Sequence, residues 1–270
     1  MTNPLTDNPT HKQIPDLSHI MLRLINQFVY RPEATFARAE FTPEELGLAY
    51  EPVMLTTADK LSLWAWYLPA PAPRCLLLYC HGNAGDIRDW VQAVPPFLAA
   101  GCSVLLFDYR GYGRSGGRPS EEGLYLDGEA AWGWVRQRAQ VEGQPAVILG
   151  KSLGTAVAIH AAIQHPPAAL VLDSAFASMR EIAMTVTPWL PDAMFPDLYE
   201  SEKRVTAVTC PTLLLHGQAD TLVPLAHGQR LYAALNAPKT MHVIPGAGHN
   251  DLSSHPEYQQ TIKSFLAEQF

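Results

Sequence analysis

The sequence predicts an α/β fold in which a mostly parallel central sheet is covered by helices on both faces and opens with an antiparallel pair. Three observations carry that reading. Eight short runs read as strands: YEPVMLTT, LSLWAWYLP, CLLLYCHG, SVLLFDYRG, PAVILGKS, ALVLDSA, TLLLHG and KTMHVIPG. Helical patterns lie between the later ones, which implies parallel strands joined by crossovers, whereas the first two are joined only by a short turn containing Asp59. The length of 270 residues suits one large α/β domain with a sizeable core.

Taken in order, residues 1–49 form an N-terminal extension expected to pack on the domain, and residues 50–270 form the sheet domain. Within the extension, Ile20–Tyr30 (IMLRLINQFVY) is apolar at Met21, Leu24, Ile25 and Phe28 but carries Arg23, Asn26 and Gln27. It is far short of the ~20 residues of a membrane span and reads as an amphipathic helix against the domain rather than on a membrane surface. The helical patterns cover 87–101, kinked at Pro95 and Pro96, then 123–140, 155–165, 225–236 and 255–270. One region fits neither period: at about 176–208, proline, methionine and aromatic residues cluster between two strands. Ligands of open parallel sheets bind beyond the carboxyl ends of the strands, so an insertion there belongs over the site as a small cap. Met184, Trp189 and Leu190, with Met194 and Phe195, are its candidates for an apolar substrate pocket, or else simply pack the cap down.

Composition excludes several classes. With 47% hydrophobic and 17% charged residues the chain is globular, and its formal charge of −7 opposes a polyanionic partner such as nucleic acid. Cys75, Cys80, Cys102 and Cys210 show no paired metal-ligand spacing and read as buried free thiols, and no metal or other cofactor is expected. The opening MTNPLTDNPTHKQ lacks the basic start and apolar stretch of a leader, which places the expected location in the cytoplasm.

The chemistry starts at VILGKSLGTAVAIHA, where a strand gives way to a helix around Ser152. A chain that reverses so sharply leaves little room beside the turning residue, and Gly150 and Gly154 supply it. Such an apex holds its side chain above the sheet edge in a strained backbone, the geometry of a nucleophile elbow. A serine hydroxyl is a weak nucleophile and needs a histidine as base, with an acid to hold that histidine's tautomer. LLLHGQADTLVP places Asp220 beyond one later strand and IPGAGHND places His249 beyond the next. Asp173, at the end of ALVLDSA, is the competing position for the acid, although Asp220, in a loop past its strand with Pro224 at the exit, is better suited. His81, His216 and His242 lie in or beside strands, and His160 and His165 in or at the end of the helix behind the elbow; all five read as structural. The oxyanion donors are expected from the amide of Leu153, at the helix start, and from that of Asn83 in HGNAGD.

Read together and in this order, HGNAGD, DYRGYGRSGG, GKSLG, LLLHGQADTLVP and GAGHND resemble the α/β-hydrolase superfamily, particularly its small-lidded serine hydrolases related to the ABHD-type depalmitoylases. The resemblance covers Tyr50–Phe270. It implies Ser152, Asp220 and His249 as the catalytic triad and the Asn83 and Leu153 amides as the oxyanion hole. Gly111, Gly113 and Gly116 match a dinucleotide fingerprint in spacing, but RPSEEG follows them where a helix should open at once. The expected function is hydrolysis of small carboxylic esters with short to medium acyl chains through an acyl-enzyme. Acyl thioester cleavage of the depalmitoylase kind is the alternative, and a non-catalytic binding protein on the same fold is the rival of another class. The sequence leaves the oligomeric state open.

Overall fold

The computed structural model describes residues 29–35, 37–38, 40–189, 191 and 195–270. The helix expected over Ile20–Tyr30 lies outside the described residues except for Val29 and Tyr30, both buried. Eight strands form one sheet: β1 (Glu51–Thr56), β2 (Ser62–Leu68), β3 (Cys75–Cys80), β4 (Cys102–Phe107), β5 (Ala146–Lys151), β6 (Ala169–Asp173), β7 (Thr212–Gly217) and β8 (Lys239–Ile244). Their order is β1-β2-β4-β3-β5-β6-β7-β8. β1 and β2 pair antiparallel, as do β2 and β4, and every later pair is parallel.

The burial pattern explains why these runs are strands. CLLLYC of β3 and CSVLLF of β4 are buried at every position, as expected for central parallel strands covered on both faces. Alternate residues feed two cores. Leu76, Leu78 and Ile148 pack with helices on one side, while Leu77, Tyr79 and Leu149 pack on the other with Phe97, Tyr258, Ile262 and Phe265. The exposed edge strand β1 shows only Leu55 buried.

Eight helices flank the sheet among the described residues: α1 (Ile87–Trp90), α2 (Pro95–Ala99), α3 (Glu121–Glu142), α4 (Leu153–Gln164), α5 (Met179–Val186), α6 (Ser201–Val205), α7 (Leu225–Ala234) and α8 (Pro256–Gln269). The single kinked helix expected over 87–101 is instead α1, a 3₁₀ turn at Val91–Ala93, and α2. Pro95 and Pro96 begin a new helix because a first turn needs no N–H donors, so the prolines divide the segment rather than bend it. The stretch without a clear period contains α5, whose N-cap Ser178 accepts a hydrogen bond from the Glu181 amide.

Two segments converge on the loop after β3. Arg31 bridges Ala84, donating from its amide to the Asn83 carbonyl at 2.9 Å and accepting from the Gly85 amide at 3.2 Å. The glycine-rich loop after β4 adds the Tyr112 hydroxyl, which also donates to the Asn83 carbonyl at 2.9 Å, and that of Tyr109, which donates to the His81 carbonyl at 2.9 Å. Gly113 (φ +47) is needed there, since a Cβ would lie 2.1 Å from a carboxylate oxygen of Asp108.

Asp108 is 1% exposed and accepts from the Ile87 amide at 2.9 Å, and burial pushes its carboxyl from 3.8 up to about 7. The folded state therefore keeps a proton that the unfolded chain releases. The resulting stability is complete below the unfolded value and is lost as pH rises toward the folded one. Measured by urea denaturation, wild type should lose stability relative to Asp108→Asn between about pH 4 and pH 7 and no further above it. A pH-independent difference, or a slope of opposite sign, would show that the carboxyl does not hold this proton.

Candidate active site

Ser152 stands between β5 and α4 with φ 52° and ψ −118°, a backbone conformation that L-residues avoid. The surroundings enforce it. A Cβ on Gly154 would lie 2.0 Å from the Cys80 carbonyl oxygen, and one on Gly150 would lie 2.5 Å from the Gly154 carbonyl oxygen. Glycine at both positions lets α4 start against the ends of β3 and β5. The Ser152 amide donates to the Asp173 carbonyl at 2.9 Å, tying the apex to β6.

His249 lies in the loop after β8. Its Nε2 is 3.0 Å from Ser152 Oγ and its Nδ1 is 2.7 Å from Asp220 Oδ2. Asp220 follows β7, and its Oδ1 accepts from the Leu222 and Val223 amides at 3.0 and 2.8 Å. Burial raises its pKa, but the hydrogen bond and charge of His249 and the Val223 amide outweigh that, so the carboxylate is held below its ordinary value. The carboxylate thus accepts Nδ1–H, which leaves Nε2 as the imidazole acceptor facing the hydroxyl. Such a chain can take the serine proton as the hydroxyl attacks a carbonyl.

His216 and His81 serve the scaffold. His216 accepts no role at Ser152: its Nε2–H donates to the Val223 carbonyl at 2.8 Å, and burial lowers its pKa. Burial likewise pushes His81 down to about 4, and its ring donates from Nδ1 to the Gly82 carbonyl at 2.8 Å. Asp173 does not reach the His249 ring. Its Oδ1 lies 2.7 Å from Lys151 Nζ, and its Oδ2 accepts from the Tyr258 hydroxyl at 2.9 Å.

Asn83 and Leu153 line the same cleft as Ser152. The Leu153 N–H is at the first position of α4, where no intrahelical acceptor exists and the helix dipole favours negative charge. The cleft measures about 50 Å³ and its apolar wall is Val29, Phe176, Met179, Ile182, Leu222 and Val223. Of the cap residues singled out in sequence, Met184 lines a separate charged groove with Glu181 and Arg230, and Trp189 is 74% exposed. Leu190 lies outside the described residues. The wall residues Met179 and Ile182 were missed because α5 was not read as a helix. The S-M-R-E start is an N-cap signal, and the i, i+3 spacing from Met179 puts Ile182, not Met184, on the buried face. Val29 carries no such signal, since long-range contacts bring it here: the bridge of Arg31 to the loop after β3 and the bond between the Tyr30 and Tyr199 hydroxyls.

A serine elbow at the carboxyl edge of a sheet in this strand order, faced by Asp and His from the ends of the last two strands, defines an α/β hydrolase, and the chain belongs to that superfamily. Residues 76–199 match the family described as alpha/beta hydrolase fold, and residues 198–254 match that described as serine aminopeptidase S33. Among its relatives is the uncharacterized protein Rv2307c of Mycobacterium tuberculosis, 43% identical over 225 residues, 80% of this chain and 79% of that protein. Human alpha/beta hydrolase domain-containing protein 17B is 32% identical over 206 residues, 74% of this chain and 69% of that one. In fold, the chain is similar to an α/β hydrolase from Vibrio vulnificus (TM-score 0.76, 22% identity, 91% of this chain and 93% of the other). It is also similar to the Pyrococcus furiosus esterase Pf2001 (TM-score 0.73, 22% identity, 89% and 97%). No helix among the described residues is long and apolar enough to cross a membrane.

The two candidate acids make different predictions. Asp220→Asn should lower turnover of an activated ester by ~10⁴-fold through the wrong histidine tautomer, with Asp173→Asn costing far less. Matched kinetics on both folded variants that gave the reverse ranking would move the acid to Asp173.

Proposed function

We propose that the protein is a serine hydrolase that cleaves carboxylic esters of short to medium acyl chains through an acyl-enzyme. The observation that carries this is the continuous hydrogen-bonded chain from Ser152 Oγ through His249 to the depressed Asp220 carboxylate, with Ser152 on a strained turn. Ser152 attacks the acyl carbonyl while His249 Nε2 takes its proton. The tetrahedral oxyanion is held by the Leu153 and Asn83 amides. His249 then returns the proton to the departing alcohol, and the same base activates the water that releases the acid. A non-catalytic role is disfavoured because a binding module has no need of that chain or of the strain it is built on.

The size class rests on the cleft. At about 50 Å³ it is far smaller than the ~300–1,000 Å³ of sites that engulf drug-sized ligands, so it suits a short apolar acyl group rather than a long chain. Met184 and Trp189, the candidates from sequence, border the cap without lining this space, and the specificity role passes to Met179 and Ile182.

A panel of acyl esters of increasing length, with thioesters and anilides beside them, measures the specificity. Acetyl to butyryl esters should be preferred, with decanoyl falling ~10²-fold or more in kcat/KM. Met179→Ala and Ile182→Ala should move the optimum to longer chains at little cost on acetate. Ser152→Ala should remove ~10³-fold or more of turnover while the protein stays folded. Near-normal activity in folded Ser152→Ala would end the serine mechanism, and preference for the anilides or for long-chain thioesters would reassign the substrate.

A further inference from the structure

The nucleophile is preceded by a lysine whose position is unusual for so strongly hydrated a group. Lys151 ends β5, and its side chain is 9% exposed. Its ammonium has three protons and meets three acceptors: Asp173 Oδ1 at 2.7 Å, the His249 carbonyl oxygen at 2.9 Å and Ser174 Oγ at 3.3 Å. Asp173 is in turn fully engaged, since its Oδ1 also accepts from the Ser174 hydroxyl at 2.9 Å and its Oδ2 from Tyr258. Burying an ammonium costs several kcal/mol before its partners offset it, and an ion pair of this kind is seldom favoured over apolar packing for stability alone. Asp173 neutralises the charge, and the Ser174 hydroxyl, itself bonded to Asp173, belongs to the same cluster. The third partner, the backbone of the histidine that faces Ser152, supplies no counter-charge.

We propose that Lys151 is a positioning residue for the base, holding the His249 carbonyl so that the imidazole stays in register with Ser152. The ring is fixed at Nδ1 by Asp220, and the loop ahead of it by the Ala219 amide, which donates to the Ala247 carbonyl at 2.9 Å. Lys151 adds a tie at the backbone of His249 itself, from the strand that leads into Ser152. Ser152 and the His249 backbone are thereby both referred to Asp173, the former through its amide donating to the Asp173 carbonyl and the latter through Lys151. A misplacement of about 1 Å at such a site costs on the order of 10²-fold in rate, so a donor to this carbonyl has a kinetic consequence without touching substrate.

This inference rests on the serine-hydrolase reading, and the test separates the two. Lys151→Met should lower kcat on a short acyl ester by ~10- to 10²-fold with KM nearly unchanged, and should slow fluorophosphonate labelling of Ser152 in parallel. Because methionine leaves the Asp173 carboxylate buried without its counter-charge, Lys151→Met/Asp173→Asn is made alongside. It should recover thermal stability while kcat stays low, since the His249 carbonyl still lacks its donor. Wild-type kcat in either folded variant, or labelling at the wild-type rate, would overturn the positioning role alone. A wild-type protein that neither hydrolyses esters nor takes the label would overturn the serine-hydrolase reading and this role with it.

Discussion

The turn at Ser152 is the constraint to which the rest of the site answers. A residue with φ 52° and ψ −118° is held only if its neighbours leave no alternative, and here the alternatives are closed by backbone. The first turn of α4 lies against the ends of β3 and β5 so closely that neither Gly150 nor Gly154 can carry a Cβ. That contact fixes Ser152 and, in the same stroke, presents the Leu153 amide at a helix start beside it. The strain is sustained by the two buried cores beneath, which lock six parallel strands and their covering helices into one arrangement.

The other parts are brought to this turn by distant segments. β7 lies beside β6 and β8 beside β7, all parallel, so the loops after β7 and β8 deliver Asp220 and His249 to the same edge. The loop after β3 is held from two sides at one atom, the Asn83 carbonyl, by the Arg31 amide and the Tyr112 hydroxyl. The glycine-rich stretch that matches a dinucleotide fingerprint in spacing has a mechanical part instead, since it carries Tyr109 and Tyr112 to that loop. The chain before the sheet domain likewise enters the site, with Val29 forming part of its wall.

The sheet was legible in the sequence because its signal is local: continuous apolar runs such as CLLLYC and VLLF can be satisfied only by burial on both faces. Ser152, Asp220 and His249 were legible for a related reason, as each follows a strand in a loop whose glycines or proline mark a turn. The wall of the cleft was not. Met179 and Ile182 become neighbours of Ser152 only once a helix forms over Met179–Val186, and proline and aromatic residues beyond it masked that short period. Lys151 was overlooked for a different reason. A lysine beside a nucleophile reads as an exposed loop residue until three acceptors, from β6, its following residue and a loop ninety-eight positions away, are seen to converge on it.

The central claim is that Ser152 becomes acylated during turnover. Mixing the protein with an excess of an activated short-chain ester, quenching in acid within the first turnovers and mapping the peptides by mass spectrometry observes this directly. A mass increment equal to the acyl group on the peptide containing Ser152, disappearing as substrate is exhausted, is the expected result. Steady hydrolysis with no acyl group on Ser152 at any quench time, or with the acyl group on another residue, would contradict it.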